Sequence, residues 1–493
     1  MNDYMAAARI LVPRVPMMLR TAFAHSLWPS DTSSKWDLRT ELIITTIRSI
    51  MSGSTSSISK QQEFGLKDAG VKGEMWISRV TLPAAEENDV LQFTMRVIDG
   101  LKEGEETFTR PELTSVSAEW TGYRAGVSAN EPEPPVSEAA KYKSLVAETS
   151  TPVTILYFHG GAYYLMDPSS HRPTCAKLAE ITGGRVLSLR YRLAPQHPFP
   201  AALLDALVAY LYLLYPPPGS FHEAVKPEHI VFAGDSAGGN LAIALLHLLL
   251  SAHQRSSAPP TVTFNGQKRQ LPIPAGTATN SPWFDVGRSM PSLHSNARYD
   301  YLPPPKMPTS SLSTGDSPLP DPTNPHPCPL WPASPPRADL YVDGPSLCHP
   351  LVSPLAFPQS AWAGAPPMYV CVGEEMLSDE IRVVSQRCAR AGVNITWDGF
   401  EAMPHCFAMM LQHIPASKRC FEGWGGWIRR LVVDGPAGVH TSGKWILAKA
   451  RGEETVDVEN LSPLQDAEVD EIMHEAMRTR NRIFEEYRRS AKL

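Results

Sequence analysis

IVFAGDSAGGN, the stretch from Ile230 to Asn240, contains a serine between small residues, Gly234-Asp235-Ser236-Ala237-Gly238. The apolar run Ile230–Ala233 before it predicts a buried strand, and the pattern Asn240–Leu250 after it predicts a helix. A tight strand-to-helix turn holds a serine in a strained backbone state, and glycines beside it prevent clashes. The stretch therefore predicts a nucleophile elbow, with the Ser236 hydroxyl above the edge of a sheet.

Apolar runs alternate with helical patterns on both sides of this elbow. Strands separated by helices such as Pro200–Tyr215 and Gly238–Ala252 are typical of an α/β protein with a mainly parallel sheet covered on both faces. Three further strands are predicted upstream. The predicted strands are Met75–Leu82, Leu91–Ile98, Thr114–Tyr123, Val153–Phe158, Val186–Leu189, Ile230–Ala233, Leu271–Ala275, Met368–Val372 and Ile395–Phe400.

A second glycine motif, Tyr157-Phe158-His159-Gly160-Gly161-Ala162-Tyr163, directly follows the predicted strand Val153–Phe158. Acyl transfer requires backbone N–H groups aimed at the oxyanion that develops in the transition state, and consecutive glycines let the backbone come that close. We expect the oxyanion donors to be Gly160 and Gly161, together with Ala237, the residue after the nucleophile.

A serine nucleophile needs a base, and the order Ser, acid, His predicts a histidine late in the chain. His405, in Met403-Pro404-His405-Cys406-Phe407, follows the strand Ile395–Phe400 and is the expected base. His413 is the nearby competitor, but it lies within a helical pattern.

Taken together, these motifs resemble the hormone-sensitive-lipase family of α/β-hydrolases. The resemblance extends from about Val153 to Phe407 and includes His159–Ala162, Tyr191-Arg192-Leu193-Ala194-Pro195 and the serine elbow. It implies an α/β-hydrolase fold with a mainly parallel eight-stranded sheet flanked by helices, a helical cap, and neither a cofactor nor a metal. Gln196 stands where the family usually has glutamate.

The resemblance also implies the acid of the site. Alignment of Leu377, Asp379 and Glu380 with the family pattern Asp-x-Leu-x-Asp-Glu places Glu375 where the family has its catalytic aspartate. A glutamate can orient the imidazole and stabilise its protonated form in the same way. Asp379 and Glu374 remain the alternatives.

Three regions are expected along the chain. Residues 1–65 predict a helical cap, and residues 66–440 predict the catalytic domain, with a further cap and a Pro-rich insertion at about 280–350. Residues 441–493 predict a C-terminal helical extension, and Ser462-Pro463 is the start signal of its helix. The N-terminus is also a candidate membrane-surface segment, because it carries Arg9, Arg14 and Arg20 among apolar residues and has no acidic residue between Asp3 and Asp31.

Composition excludes several classes of protein. The net charge of −6 and the pI of about 6.2 argue against nucleic-acid binding. Seven cysteines without CxxC pairs or zinc-site spacing favour a reducing compartment over a disulfide framework. No uncharged apolar run reaches the length of about 18 residues that a membrane-spanning helix needs. We therefore expect an intracellular protein, either cytoplasmic or peripheral at a membrane surface.

These features predict a serine hydrolase that cleaves small-molecule carboxylic esters. The resemblance implies short- to medium-chain or acetyl esters, and Tyr163 and Tyr164 are candidate pocket residues. Two alternatives stay open: a non-catalytic small-molecule receptor on the same fold, and a lipid- or sterol-ester deacetylase at a membrane surface. The sequence does not indicate whether the protein is a monomer or an oligomer.

Overall fold

A computed structural model describes residues 11–27, 32–52, 56–304, 328–334 and 336–490. Arg9 and residues 305–327 of the Pro-rich insertion lie outside the described residues. The strands are β1 (Met75–Leu82), β2 (Val116–Tyr123), β3 (Thr154–Phe158), β4 (Arg185–Arg190), β5 (Ile230–Asp235), β6 (Thr261–Phe264), β7 (Gln267–Gln270), β8 (Gly276–Asn280), β9 (Met368–Gly373), β10 (Ile395–Phe400), β11 (Ser442–Ile446) and β12 (Glu453–Val456).

The α-helices are distributed along the whole described chain. They are α1 (Val15–Leu27), α2 (Leu38–Ser52), α3 (Ile58–Gly65), α4 (Asp89–Asp99), α5 (Glu138–Ala147), α6 (Pro168–Thr182), α7 (Ala201–Leu214), α8 (Ala237–Gln254), α9 (Ser292–Ser295), α10 (Ser378–Arg390), α11 (Phe407–Met410), α12 (Pro415–Val433) and α13 (Asp466–Ser490). Among the described helices, none combines the length and apolarity needed to cross a bilayer.

The main sheet has the strand order β1-β2-β4-β3-β5-β8-β9-β10-β11-β12. From β4 to β11 every neighbouring pair is parallel, and the pairs β1/β2, β2/β4 and β11/β12 are antiparallel. In such a sheet the carboxyl ends of β3, β5, β9 and β10 all meet at one edge, which brings the loops that follow them together. The predicted α/β fold with a mainly parallel sheet is confirmed.

Helices cover both faces of this sheet. On β3, Leu156 and Phe158 join the core that contains α7 and α8, whereas Ile155 and Tyr157 join the core that contains α6 and α12. This alternation follows from the two-residue period of a strand. Because both faces are buried, the central strands are apolar almost throughout, which explains why they were recognisable in the sequence.

The expectation of eight strands is wrong, since the described sheet has ten. The two additional strands, β11 and β12, belong to the region that was predicted to be helical. β11 pairs in parallel with β10, and Trp445 stacks on Trp397 with ring centroids 6.1 Å apart. Only Gly443 and Ile446 are buried in this short strand. Its sequence therefore lacks the apolar run by which the central strands were recognised. The helix predicted after Ser462-Pro463 is present as α13.

Two other strand predictions are wrong. Leu91–Ile98 lies within the helix α4, whose buried side chains, including Val90 and Val97, recur at helical spacing. Leu271–Ala275 precedes the strand β8 instead of forming it, because Pro272 and Pro274 have no N–H to donate to a neighbouring strand.

The helices α1–α3 form an N-terminal layer that contacts three loops at the carboxyl edge of the sheet, those after β3, β4 and β10. Trp36 Nε1 donates a hydrogen bond to Ala402 O (2.6 Å) in the loop after β10. Gln62 Nε2 donates to Tyr164 O and Ala194 O (both 2.9 Å), and Gln196 Nε2 donates to Gln62 Oε1 (2.7 Å). Gln196 stands where the family usually has glutamate. In this protein a pair of neutral amide side chains, Gln62 and Gln196, therefore joins the N-terminal layer to the loop after β4.

A buried ion pair fixes α6 against the sheet. Arg172 Nε and Nη2 donate to the two carboxylate oxygens of Glu119 on β2 at 2.7 and 2.6 Å, and both side chains are only 2% exposed. Arg172 also donates to Asp68. Two parallel N–H···O bonds give this pair a defined geometry as well as charge compensation.

We expect Arg172→Ala to lower the free energy of unfolding by about 3 kcal/mol, because the buried Glu119 carboxylate loses both of its close hydrogen bonds and keeps only the more distant Arg79 and Arg190, at 3.6 and 3.7 Å. Lys177→Ala is the matched control on the same helix. Lys177 pairs with Glu180, the two side chains are 47% and 38% exposed, and its loss should cost less than about 1 kcal/mol. Denaturant titration measures both values, and equal losses for the two variants would contradict the prediction.

Candidate active site

Ser236 occupies the turn between β5 and α8 with φ 53° and ψ −122°, a region that residues with side chains rarely adopt. The flanking glycines make this turn sterically feasible. A Cβ at Gly238 would lie 1.9 Å from Phe158 O, and a Cβ at Gly234 would lie 2.5 Å from the Gly238 carbonyl. The predicted elbow geometry is therefore present.

Backbone hydrogen bonds on both sides hold the elbow in place. The Ser236 N–H donates to Asn280 O (3.1 Å), at the end of the neighbouring strand β8. The Ser236 carbonyl accepts from the N–H groups of Asn240 and Trp283, each at 3.0 Å. The residue is partly exposed, so its side chain lies at the surface of this edge.

The structure pairs the predicted base with the predicted acid. Glu375 follows β9 and His405 follows β10, and His405 Nδ1 lies 2.7 Å from Glu375 Oε1. Glu375 Oε2 accepts hydrogen bonds from the Ser281 hydroxyl (2.6 Å) and the Gly373 N–H (3.1 Å). The carboxylate thus has a fixed orientation, and it fixes the orientation of the imidazole.

The groups around His405 stabilise the positive charge that its ring acquires on accepting a proton. Burial disfavours the imidazolium, but the neighbouring Cys406 and Glu375 groups outweigh it and hold the pKa of His405 well above its ordinary value. The Glu375 carboxylate contributes both through its charge and through the 2.7 Å hydrogen bond.

The other candidate groups are engaged elsewhere. Glu374 accepts from the Ala402 N–H (2.9 Å), and Asp379 accepts from the Ser292 N–H (2.8 Å). His413 lies beside α2, with its Nε2 3.9 Å from Asp37 Oδ2. In the part of the chain that the structure describes, Glu375 is the acid with a hydrogen bond to the His405 ring.

The loops that carry the candidate nucleophile Ser236 and the candidate base His405 meet through the residues next to them. Cys406 Sγ lies 4.0 Å from Asp235 Oδ2, so the residues next to His405 and Ser236 are in contact. Among the described residues no hydrogen bond joins Ser236 Oγ to His405 Nε2, the ring nitrogen that Glu375 leaves available.

Ser281 is a site residue that the sequence reasoning missed. Its hydroxyl donates to Glu375 Oε2 and accepts from the Cys406 N–H (3.1 Å), so it links the acid to the loop that carries the base. Its φ of 46° is again in the left-handed region. A serine directly before Pro282 gave no signal by which to recognise this role.

The glycine motif after β3 differs from the expectation at one position. The Gly160 N–H donates to Asp235 Oδ1 (3.2 Å), so this amide has a buried acceptor and is not directed at a substrate. Gly161 and Ala162 have φ values of 107° and 51°, which turn the backbone sharply. Within the described residues, their amides have no hydrogen-bond acceptor.

Asp235 fixes this loop from below. Besides Gly160, its carboxylate accepts from the Tyr157 hydroxyl (2.6 Å) and lies 3.2 Å from His171 Nε2. Burial opposes its ionisation, but the charge and hydrogen bond of His171 and the hydrogen bond of Tyr157 hold the pKa of Asp235 below its ordinary value. Burial lowers the pKa of His159 to about 3, so this imidazole is neutral and its Nδ1 donates to Gly160 O (2.7 Å).

The two tyrosines expected in the pocket differ in their surroundings. Tyr163 is fully buried: its ring stacks on Tyr341 at a centroid distance of 3.7 Å, and its hydroxyl donates to Asn240 Oδ1 (2.8 Å). It therefore supports the packing of the loop and has no face open to solvent. Tyr164 is partly exposed, and its hydroxyl donates to Gln61 Oε1 (3.2 Å).

Within the described residues, no group of three or more His, Cys, Asp or Glu side chains is arranged to hold a metal ion. The groups at this edge are instead a hydroxyl, an imidazole with an oriented carboxylate, and backbone N–H groups. That combination can activate a hydroxyl nucleophile and stabilise an oxyanion.

The family described as alpha/beta hydrolase fold matches residues 155–331 and 327–409, which is more than half of the chain. The chain belongs to this family. An acetyl-hydrolase of Streptomyces hygroscopicus is 30% identical over 283 residues, which make up 57% of this chain and 77% of that protein.

Two further proteins extend the comparison. An esterase of Acinetobacter venetianus is 27% identical over 293 residues, covering 59% of this chain and 80% of its own. The crystal structure of EstE5 soaked with p-nitrophenyl butyrate superposes with a TM-score of 0.51 at 22% identity, over 79% of this chain and 98% of that one. This structural likeness concerns the fold alone.

We expect Glu375→Gln to lower the pKa of His405, because burial then acts on the imidazole with less opposition from a neighbouring negative charge. Titration of the His405 ring by NMR in wild type and variant measures the change. Glu374→Gln, which changes an adjacent carboxylate without contact to the ring, should leave this pKa unaltered. An unchanged pKa in Glu375→Gln would show that the hydrogen-bonded pair does not control the base.

Proposed function

We propose that Ser236, His405 and Glu375 form the catalytic triad of this protein, which is an ester hydrolase of the α/β-hydrolase family. Acetyl-hydrolase and esterase are the activities named for its curated relatives. The observation that carries the triad is the 2.7 Å hydrogen bond between Glu375 and His405 at the sheet edge where the Ser236 elbow lies.

In the proposed first stage, Ser236 Oγ attacks the ester carbonyl while His405 Nε2 accepts its proton. The proton on Nδ1 stays in the hydrogen bond to Glu375, which keeps the correct ring nitrogen free and stabilises the imidazolium. His405 then protonates the leaving alcohol, and an acyl-enzyme remains. In the second stage a water molecule, deprotonated by His405, releases the acid and regenerates Ser236.

For the oxyanion we propose the N–H groups of Gly161, Ala162 and Ala237. The Gly160 N–H, expected from the sequence, is excluded because it donates to Asp235. Ala237 is the first residue of α8, where the amides have no partner inside the helix and the helix dipole favours negative charge.

We further propose small esters with short to medium acyl chains, including acetyl esters, as substrates. The support is the name of the Streptomyces relative, an acetyl-hydrolase. A non-catalytic receptor is less well supported, because Glu375 and Ser281 hold His405 and its loop in the orientation that a base requires.

We expect Ser236→Ala to abolish hydrolysis of p-nitrophenyl esters and labelling by a fluorophosphonate probe, which reacts with activated serines. In the wild type the highest kcat/KM should occur between acetyl and hexanoyl esters. Ser220→Ala is the control, because this serine lies in the loop before β5, at the opposite end of that strand from the elbow, and its hydroxyl donates to the nearby Pro217 carbonyl. A folded wild-type protein that neither hydrolyses the esters nor reacts with the probe would favour the receptor.

One observation favours the second candidate, hydrolysis of esters held at a lipid surface. The turn before α1 and one face of this helix expose apolar side chains three or four residues apart: Val12, Val15, Leu19, Phe23 and Leu27 are 44–66% exposed. The helix carries Arg20, and no acidic residue occurs between Asp3 and Asp31. An apolar face without acidic residues fits an anionic membrane surface.

If this face binds membranes, Leu19→Asp combined with Phe23→Asp should weaken binding to vesicles of phosphatidylcholine and phosphatidylglycerol by about tenfold or more. The reason is that two apolar side chains, exposed in the free protein and buried in the bilayer on binding, are lost. Co-sedimentation measures the bound fraction. Val433→Asp, at a 47% exposed position on α12, is the control and should bind as the wild type does. Equal binding by the wild type and the double variant would exclude α1 as the contact.

A further inference from the structure

Asp300 is a fully buried carboxylate that the proposed mechanism does not use. It lies in the segment that follows β8, directly after the 3-10 turn Ala297–Tyr299. Its Oδ2 accepts from the Met376 N–H (2.9 Å), and its Oδ1 lies 3.4 Å from the His405 N–H. Its Oδ1 also accepts from the next two N–H groups of its own segment, at 2.7 and 3.1 Å.

These contacts connect the loop of the acid with the loop of the base. Met376 directly follows Glu375, and the second N–H is that of His405 itself. The same segment also binds the carbonyl of that peptide group, because Asn296 Nδ2 donates to Glu375 O (3.1 Å), and it donates to Ser378 Oγ (2.8 Å) as well. The peptide group between Glu375 and Met376 is therefore held through both its carbonyl and its N–H by residues 296 and 300.

The N-terminal layer reaches the same point. Arg48 on α2 donates through Nε to Asp300 O (2.9 Å) and through Nη2 to Arg298 O (3.0 Å) and Ala297 O (3.3 Å). One guanidinium thus binds three carbonyl groups of the turn that carries the carboxylate. A displacement of α2 would be transmitted to the turn through these bonds.

We propose that Asp300 is a positioning residue that sets the distance between Glu375 and His405, and that Arg48 connects α2 to it. The inference rests on the proposed triad. A single buried carboxylate that accepts N–H groups from two loops fixes the separation of their backbones, in addition to the link that Ser281 makes between the Glu375 side chain and the loop of the base. Catalytic groups displaced by about 1 Å can lose about a hundredfold in rate, so this separation matters.

Asp300→Asn tests the role of the carboxylate. The amide of the variant keeps one acceptor oxygen, but its NH2 group is a donor. It therefore faces a loop N–H that it cannot bind, and that loop must shift. We expect kcat to fall by about 10- to 100-fold with KM within about twofold, because the altered geometry affects the reacting groups and not the substrate contacts. The rate of fluorophosphonate labelling should fall in parallel.

Asp285→Asn is the matched control. Asp285 is also buried in the segment after β8, but its carboxylate accepts from the N–H and hydroxyl of Ser289, within its own segment. Its kcat should stay within about threefold of the wild type. Equal losses of kcat in the two variants, or a wild-type kcat in Asp300→Asn, would overturn the proposal.

A second pair of variants covers the case in which Asp300→Asn does not fold. Arg48→Ala keeps the carboxylate and removes the connection to α2, and it should lower kcat several-fold at constant KM. Arg39→Ala, at an exposed position on the same helix, should have no effect. If Arg48→Ala keeps the full kcat, the proposed connection is wrong. Full activity of Ser236→Ala would instead refute the triad itself, so the two failures are distinguishable.

Discussion

The active edge depends on the left-handed backbone of Ser236. A residue with a side chain in this conformation costs about 1–3 kcal/mol, and it persists only where the surroundings leave no alternative. Here the surroundings are the close approach of α8 to the end of β3, where a single Cβ at Gly238 would overlap Phe158 O. Because of this approach, the loop that follows β3 begins directly beside the nucleophile.

The same close approach explains how the oxyanion loop is oriented. Asp235, one residue before the nucleophile, is buried between β3 and α6 and must satisfy its charge with hydrogen bonds. Tyr157, His171 and the Gly160 N–H supply them. Once the Gly160 amide points inward at this carboxylate, the left-handed residues that follow turn the next amides away from it. The carboxylate thus helps to define which N–H groups face a substrate.

Local patterns were sufficient to identify the elbow, the glycine motif and the histidine, because each is a short motif next to an apolar strand. The directions of the N–H groups of Gly160, Gly161 and Ala162 were not predictable from the sequence. They depend on backbone φ values that are set by the surrounding fold as well as by the identity of these residues. Leu271–Ala275 shows a different limit: its apolar residues suggested a strand, but its prolines prevent pairing, and the buried strand β8 carries Thr277 and Thr279 instead. Whether a segment forms a central strand therefore depends more on its ability to pair with neighbouring strands than on how apolar it is.

Ser281 and Asp300 were missed for a further reason. Each acts through hydrogen bonds to backbone groups about 75–125 residues away in the chain, and such partners have no sequence pattern of their own. Their position after β8 places them between the loops of the acid and the base, where buried N–H groups need acceptors. The segment that follows β8 and the helix α2 above it therefore belong structurally to the active edge. Through the hydrogen bonds of Asp300 and Arg48, the position of these elements is tied to the loops that carry Glu375 and His405.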